Sequence, residues 1–95
     1  MAKKVAVIYS SKAFRDIDRI IEFNDTRNKS TTYSKKFVSG LKTRLNRLTK
    51  QPLSGIKTNL EEFLIIWDQY YIFYLFEDSN IYVKSIYHQK ENIDR

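Results

Sequence analysis

Phe63-Leu-Ile-Ile-Trp67, then Tyr70-Tyr-Ile-Phe-Tyr-Leu-Phe76, then Ile81-Tyr-Val-Lys-Ser-Ile-Tyr87-His88 is the stretch that decides the fold. Three runs of β-branched and aromatic residues are interrupted by Asp68-Gln69 and by Glu77-Asp78-Ser79-Asn80. Short runs of this composition with polar breaks predict strands joined by hairpins. Breaks this short force antiparallel neighbours, so the runs predict a meander. A sheet this apolar needs a covering layer, and the first half of the chain supplies it.

Val5-Ala-Val-Ile-Tyr9 predicts a short opening strand, and Ser10 or Ser11 after it can cap a helix by accepting a bond from an orphan backbone N–H. Ala13, Phe14, Ile17, Ile20, Ile21 and Asn24 then recur at helical spacing, with Lys12, Arg15, Arg19 and Glu22 opposite. This predicts an amphipathic helix ending near Asn24 or Asp25. Arg27-Asn-Lys-Ser30 is a polar break. Tyr33, Phe37, Val38, Leu41, Leu45 and Leu48 form the stripe of a second helix, with Lys35, Lys36, Lys42, Arg47 and Lys50 on its far face and Arg44 at the edge. Gly40 sits mid-helix, and Pro52 stops the helix. The first strand, far in sequence from the meander, is expected at a sheet edge. The order β-α-α-β-β-β predicts one two-layer α+β domain over residues 1–95: a helical hairpin on one face of a twisted, mainly antiparallel four-stranded sheet. Ile17, Ile21, Phe37, Leu41, Leu45 and Ile72 are its expected core.

Composition bounds the function. The 95 residues are 42% hydrophobic and 15% aromatic, enough for one core and too apolar for a disordered chain. Without cysteine there is no disulfide or thiolate metal site, and one histidine with scattered acids makes no metal ligand set, so no cofactor is expected. The start of the chain, with only five apolar-leaning residues after Lys4, is too short for a signal peptide or a membrane span. Between Thr26 and Leu60 lie nine basic residues and no Asp or Glu; with a formal net charge of +6 overall, the remainder sums to −3. Such a block is either a solvated helix face or a surface for phosphate or an acidic protein. Lys35, Lys36, Lys42, Arg44, Arg47, Lys50 and Lys57 are its candidate nucleic-acid contacts.

In the order and spacing of its parts the chain resembles the RelE/ParE superfamily of bacterial toxins from type II toxin–antitoxin systems. The parts are the opening strand with Ser10-Ser-Lys-Ala-Phe-Arg-Asp-Ile17, the second helix ending Leu48-x-x-x-Pro52-x-x-Gly55, the strand Tyr70-Tyr-Ile-Phe-Tyr74, and the ending Ile86-Tyr-His-Gln-Lys90. The resemblance implies a RelE-like fold, a bacterial cytoplasmic setting and a cognate antitoxin. It spans two activities. RelE-like and YoeB-like members cut messenger RNA in the ribosome, whereas ParE-like members poison DNA gyrase without being nucleases. Nuclease branches commonly carry arginine where this chain has Tyr71. Tyr87-His88 matches the YoeB-like ending, while ParE-like chains also often place a histidine there, followed by an arginine where this chain has Lys90. Ribosome-dependent mRNA cleavage is the leading expectation, with gyrase poisoning or a silent antitoxin-binding paralogue as alternatives.

Cleavage through a 2′-hydroxyl needs a base, an acid and positive charge at the crowded phosphate. The candidate catalytic residues are His88 as acid or base, Lys84 and Lys90 as charge, and Tyr71 and Tyr87 as stacking or phenolic groups, with Lys57 adding charge from across the site. Strand alternation predicts Tyr82, Lys84, Ile86 and His88 on one face. No carboxylate is marked as the base; Glu61 and Glu62 are the nearest in sequence to the sheet. Against this stands the ordinary role of a lone histidine at a strand end, a surface or hydrogen-bonded structural residue. Sheet tyrosines such as Tyr70, Tyr74 and Tyr82 are ordinarily core or half-buried sheet residues.

Overall fold

The computed structural model describes residues 4–28, 31–58 and 61–90. Two helices, α1 (Ser11–Asn28) and α2 (Thr32–Leu48), cover one face of a five-stranded sheet. Its strands are β1 (Ala6–Tyr9), β2 (Ile56–Lys57), β3 (Phe63–Trp67), β4 (Tyr70–Glu77) and β5 (Asn80–His88), in the order β1-β5-β4-β3-β2. The meander β3-β4-β5 is antiparallel, and β1 lies parallel to β5 at the edge, as expected from its distance in sequence. The α+β reading holds with one more strand than the four predicted. Ile56 and Lys57, opposite Leu64 and Phe63, add a two-residue strand too short to leave any pattern.

The helices start and stop for identifiable reasons. Of the two serines, Ser10 caps α1: its Oγ accepts the Ala13 N–H at 2.9 Å, and its carbonyl accepts the Phe14 N–H. α1 runs past the expected end at Asn24 or Asp25 to Asn28, because no proline or glycine interrupts Thr26-Arg27 and Arg27 suits the negative end of the helix dipole. The hairpin is pinned by Ser34 of α2, which is buried and hydrogen-bonds Asp25 of α1.

After α2, the spacing Leu48-x-x-x-Pro52-x-x-Gly55 is explained by Tyr74. This fully buried phenol donates to the Pro52 carbonyl at 2.8 Å and accepts the Gly55 N–H at 3.1 Å. A Cβ on Gly55 would stand 2.6 Å from the phenolic oxygen, so only glycine fits. Gly40 has a comparable reason, since a Cβ there would stand 2.7 Å from the Trp67 ring.

Phe37, Leu41, Leu45 and Leu48 of α2 and Ala13 and Ile20 of α1 meet Ile65, Ile72, Tyr74, Ile81, Val83 and Ile86 of the sheet in one core. Of the six expected core residues, Phe37, Leu41, Leu45 and Ile72 are buried, while Ile17 and Ile21 pack partly buried against its edge. Among the described residues nothing covers the opposite face of the sheet, where Ile8, Ile56 and Ile66 are exposed.

The predicted alternation along β5 fails at one residue. Phe73 pairs with Ser85 and Tyr74 with Val83, leaving Lys84 as the extra residue of a β-bulge. A bulge reverses the facing of everything beyond it. Tyr82 and Lys84 therefore stay on the uncovered face, whereas Ile86 and His88 turn toward the helices.

Candidate functional site

β1 stops opposite Val83, so the outer edge of β5 beyond it needs other partners. The first turns of α1 provide them. The Ser10 hydroxyl donates to the Lys84 carbonyl at 2.8 Å, the Ile86 N–H donates to Asp16 Oδ2 at 3.0 Å, and Arg19 donates to the Ile86 carbonyl at 3.1 Å. Asp16 is 2% exposed, a burial a carboxylate tolerates only when paired. Lys12 at 3.0 Å and Arg19 at 2.6 Å supply the pairing. Lys12 also lies 4.5 Å from the centre of the Tyr87 ring, with Arg19 at 5.7 Å. Partial burial works against the Lys12 charge, but hydrogen bonds to Tyr87 and Asp16 and the Asp16 charge outweigh it and push the ammonium pKa up.

The candidate catalytic residues divide between the two faces of the sheet. Tyr71 and Tyr87 are half-buried cross-strand partners on the uncovered face, and Tyr87 meets Phe73 edge-on. Lys84 is on that face too, 3.3 Å from the buried carboxylate of Glu62. His88 lies on the other side, its ring edge-on to Tyr70. His88 Nδ1 accepts the Lys90 N–H at 3.1 Å, which places the ring proton on Nε2, facing Gln69 Oε1 at 3.0 Å. Both ring nitrogens are thus engaged by the strand end and the β3–β4 turn. Lys90 is exposed beside it.

Lys57 is on β2, separated from β5 by β3 and β4 and at the far end of the meander from His88. Lys35, Lys36, Lys42, Arg47 and Lys50 are exposed along α2 and just after it, and Arg44 is half-buried. Among the described residues no carboxylate pairs with the five exposed cations. Arg44 lies near enough to Tyr74 to favour its phenolate, as does the Gly55 hydrogen bond, but burial dominates and raises that pKa.

A cleft opens where the tip of the helical hairpin meets the β3–β4 turn. Its larger cavity, about 430 Å³, is bounded by Phe23, Arg27, Tyr33, Lys36, Gln69 and His88 among others. A second cavity of about 250 Å³ adjoins it and shares Phe23, Asn24, Arg27 and His88. Trp67, Phe37 and Tyr70 pack on one another at its floor, with ring centres 4.7–6.1 Å apart.

Asp16, Arg19 and the cleft residues Phe23 and Arg27 were not legible as a site. Asp16 did leave a signal: it is an acid on the same helical face as Ala13 and Ile20, spaced four from Lys12 and three from Arg19.

The family model described as the ParE toxin of type II toxin-antitoxin system, parDE, matches residues 7–93. The chain belongs to this ParE toxin family. It is thereby the toxin component of a two-protein module whose other member is an antitoxin. No curated protein matches the chain. The family match spans every element described above, from the second residue of β1 past the end of β5. His88, Lys84, Tyr71 and Tyr87 all lie within the matched span. Among the described residues no helix is long and apolar enough to cross a membrane.

Proposed function

We propose that this ParE-family toxin acts by binding its target rather than by cutting RNA, and that the target is DNA gyrase, as the ParE-like branch of the superfamily implies. One observation carries this reading. The groups that would have to converge on a scissile phosphate are split between opposite faces of the sheet, His88 with Lys90 on one and Lys84, Tyr71 and Tyr87 on the other. Acid–base catalysis requires the transferring groups within hydrogen-bond reach of one reacting centre. His88 is instead tied through both nitrogens to Lys90 and Gln69, and Lys84 is ion-paired with Glu62. The tyrosine at position 71, where nuclease relatives commonly have arginine, removes a phosphate-stabilising charge. The unpaired cations of α2 suit an anionic complex of gyrase with DNA.

Induction in bacteria with parallel readouts tests it. The expected outcome is the DNA-damage response with transcripts intact, and inhibition of supercoiling by purified gyrase. Toxicity should survive His88→Ala. Cleavage of ribosome-bound transcripts that disappears with His88→Ala would overturn the proposal and restore the nuclease expectation, for which a histidine typically contributes about 10²–10⁴ in rate.

A further inference from the structure

We infer that the cleft at the hairpin tip seats an acidic segment of the antitoxin that carries one bulky apolar anchor; the inference rests on the family reading, which supplies the antitoxin. Phe23 and Tyr33 are 53% and 58% exposed at its mouth, large apolar surfaces that a lone domain has no packing reason to leave uncovered together. The smaller cavity runs between Ile20 and Phe23 and is rimmed by Arg27 and Lys90. A volume near 250 Å³ accepts one large side chain. A buried anchor ringed by polar contacts is how interfaces concentrate their affinity.

Charge sets the chemistry of the occupant. Among the described residues, Arg27, Lys36 and Lys90 line the two cavities against one carboxylate, Asp68. Arg19 also lines the cleft, but its guanidinium is committed to Asp16 and to the Ile86 carbonyl. A single strand of nucleic acid would also be drawn by positive charge, but it binds through stacking on aromatic faces. Here the Phe37, Trp67 and Tyr70 rings are packed on one another and the Arg27 guanidinium lies 6.0 Å over the Phe23 ring, which leaves the exposed Tyr33, one ring where successive bases need several. An apolar side chain needs only the volume between the rings. The uncovered sheet face, with Ile8, Ile56 and Ile66, is the rival surface; it lacks the charge bias, since Lys84 there is paired with Glu62.

The test uses the full-length toxin and the full-length antitoxin encoded beside it, with affinity measured by calorimetry. Phe23→Ala and Arg27→Glu should each weaken the complex about tenfold or more, and each should leave a toxin that the antitoxin no longer neutralises. Ile66→Ser on the sheet face should change affinity less than about threefold. Both cleft positions are exposed, and thermal unfolding of each variant checks that the fold survives. Wild-type affinity in both cleft variants, with collapse in Ile66→Ser, would overturn the inference. So would cleft variants that bind antitoxin normally but lose toxicity, since the cleft would then serve the target. Wild-type toxin that binds no antitoxin would instead remove the antitoxin pairing on which the inference rests.

Discussion

Ile86 would present a bare N–H at the edge of the sheet if Asp16 did not accept it. Asp16 thereby does in one side chain what a further stretch of β1 would do in backbone, and it holds Lys12 and Arg19 at the same time. Removing it strands a buried donor and leaves two half-exposed cations without their partner. The two losses are unequal. A lost partner for a buried backbone N–H costs about 1–3 kcal/mol, whereas pairs with exposed cations contribute about 0–1 kcal/mol each. Asp16→Ala should therefore cost about 2–4 kcal/mol in urea unfolding. Asp16→Asn, which keeps an acceptor for Ile86, should cost clearly less. Equal losses in the two variants would mean that the charge, not the edge hydrogen bond, is what matters.

At the scale of elements, every strand but β2 was legible because short β-branched and aromatic runs bounded by polar turns suit strands, and the helices because their stripes recur at the right period. The bulge was not. Lys84 looks like any outward strand residue, and nothing local says that Phe73 faces Ser85 while Tyr74 faces Val83. That one extra residue moved His88 to the helix side and parted it from Lys84, which simple alternation places on the same face. The family resemblance could not repair this, since it supplies residues in order without saying which face each one takes. The β4–β5 turn shows the reverse case, in which polar residues announced a turn but not its strain. Asp78 and Ser79 both adopt positive φ, 51° and 61°, the pattern of a type I′ hairpin that favours glycine. Left-handed backbone costs a residue with a Cβ about 1–2 kcal/mol, and glycine returns part of that gain as unfolded-state entropy. Ser79→Gly should therefore raise stability by about 0.5–1 kcal/mol. A lower midpoint in urea would show that the serine side chain contributes more than its backbone costs.

At the scale of the whole molecule, Tyr9, Lys12 and Tyr74 each hold a proton more tightly in the fold. Burial raises the Tyr9 and Tyr74 pKa values, and the Tyr87 and Asp16 contacts raise that of Lys12 despite its partial burial. A group whose folded pKa exceeds its unfolded value holds its proton more tightly in the native state. The associated stability is fully present below the unfolded pKa, about 10 for these residues, and is lost as pH climbs through the folded values. Net charge does not oppose this: the formal +6 at neutral pH falls to zero near the isoelectric point of about 9.6, and above pH ~10 further deprotonation builds negative charge. Tyr74 should dominate among the three because it is fully buried and its phenol closes the turn on Pro52 and Gly55, so ionising it removes the proton donated to the Pro52 carbonyl. The melting temperature should therefore hold steady from neutral pH to about 9 and fall between about 10 and 12. Tyr74→Phe should start about 1–3 kcal/mol lower at neutral pH, having stranded the Gly55 N–H and the Pro52 carbonyl, and should fall less steeply above pH ~10. If wild type and Tyr74→Phe lose stability in parallel across that window, the buried phenol is not the group whose titration opens the fold.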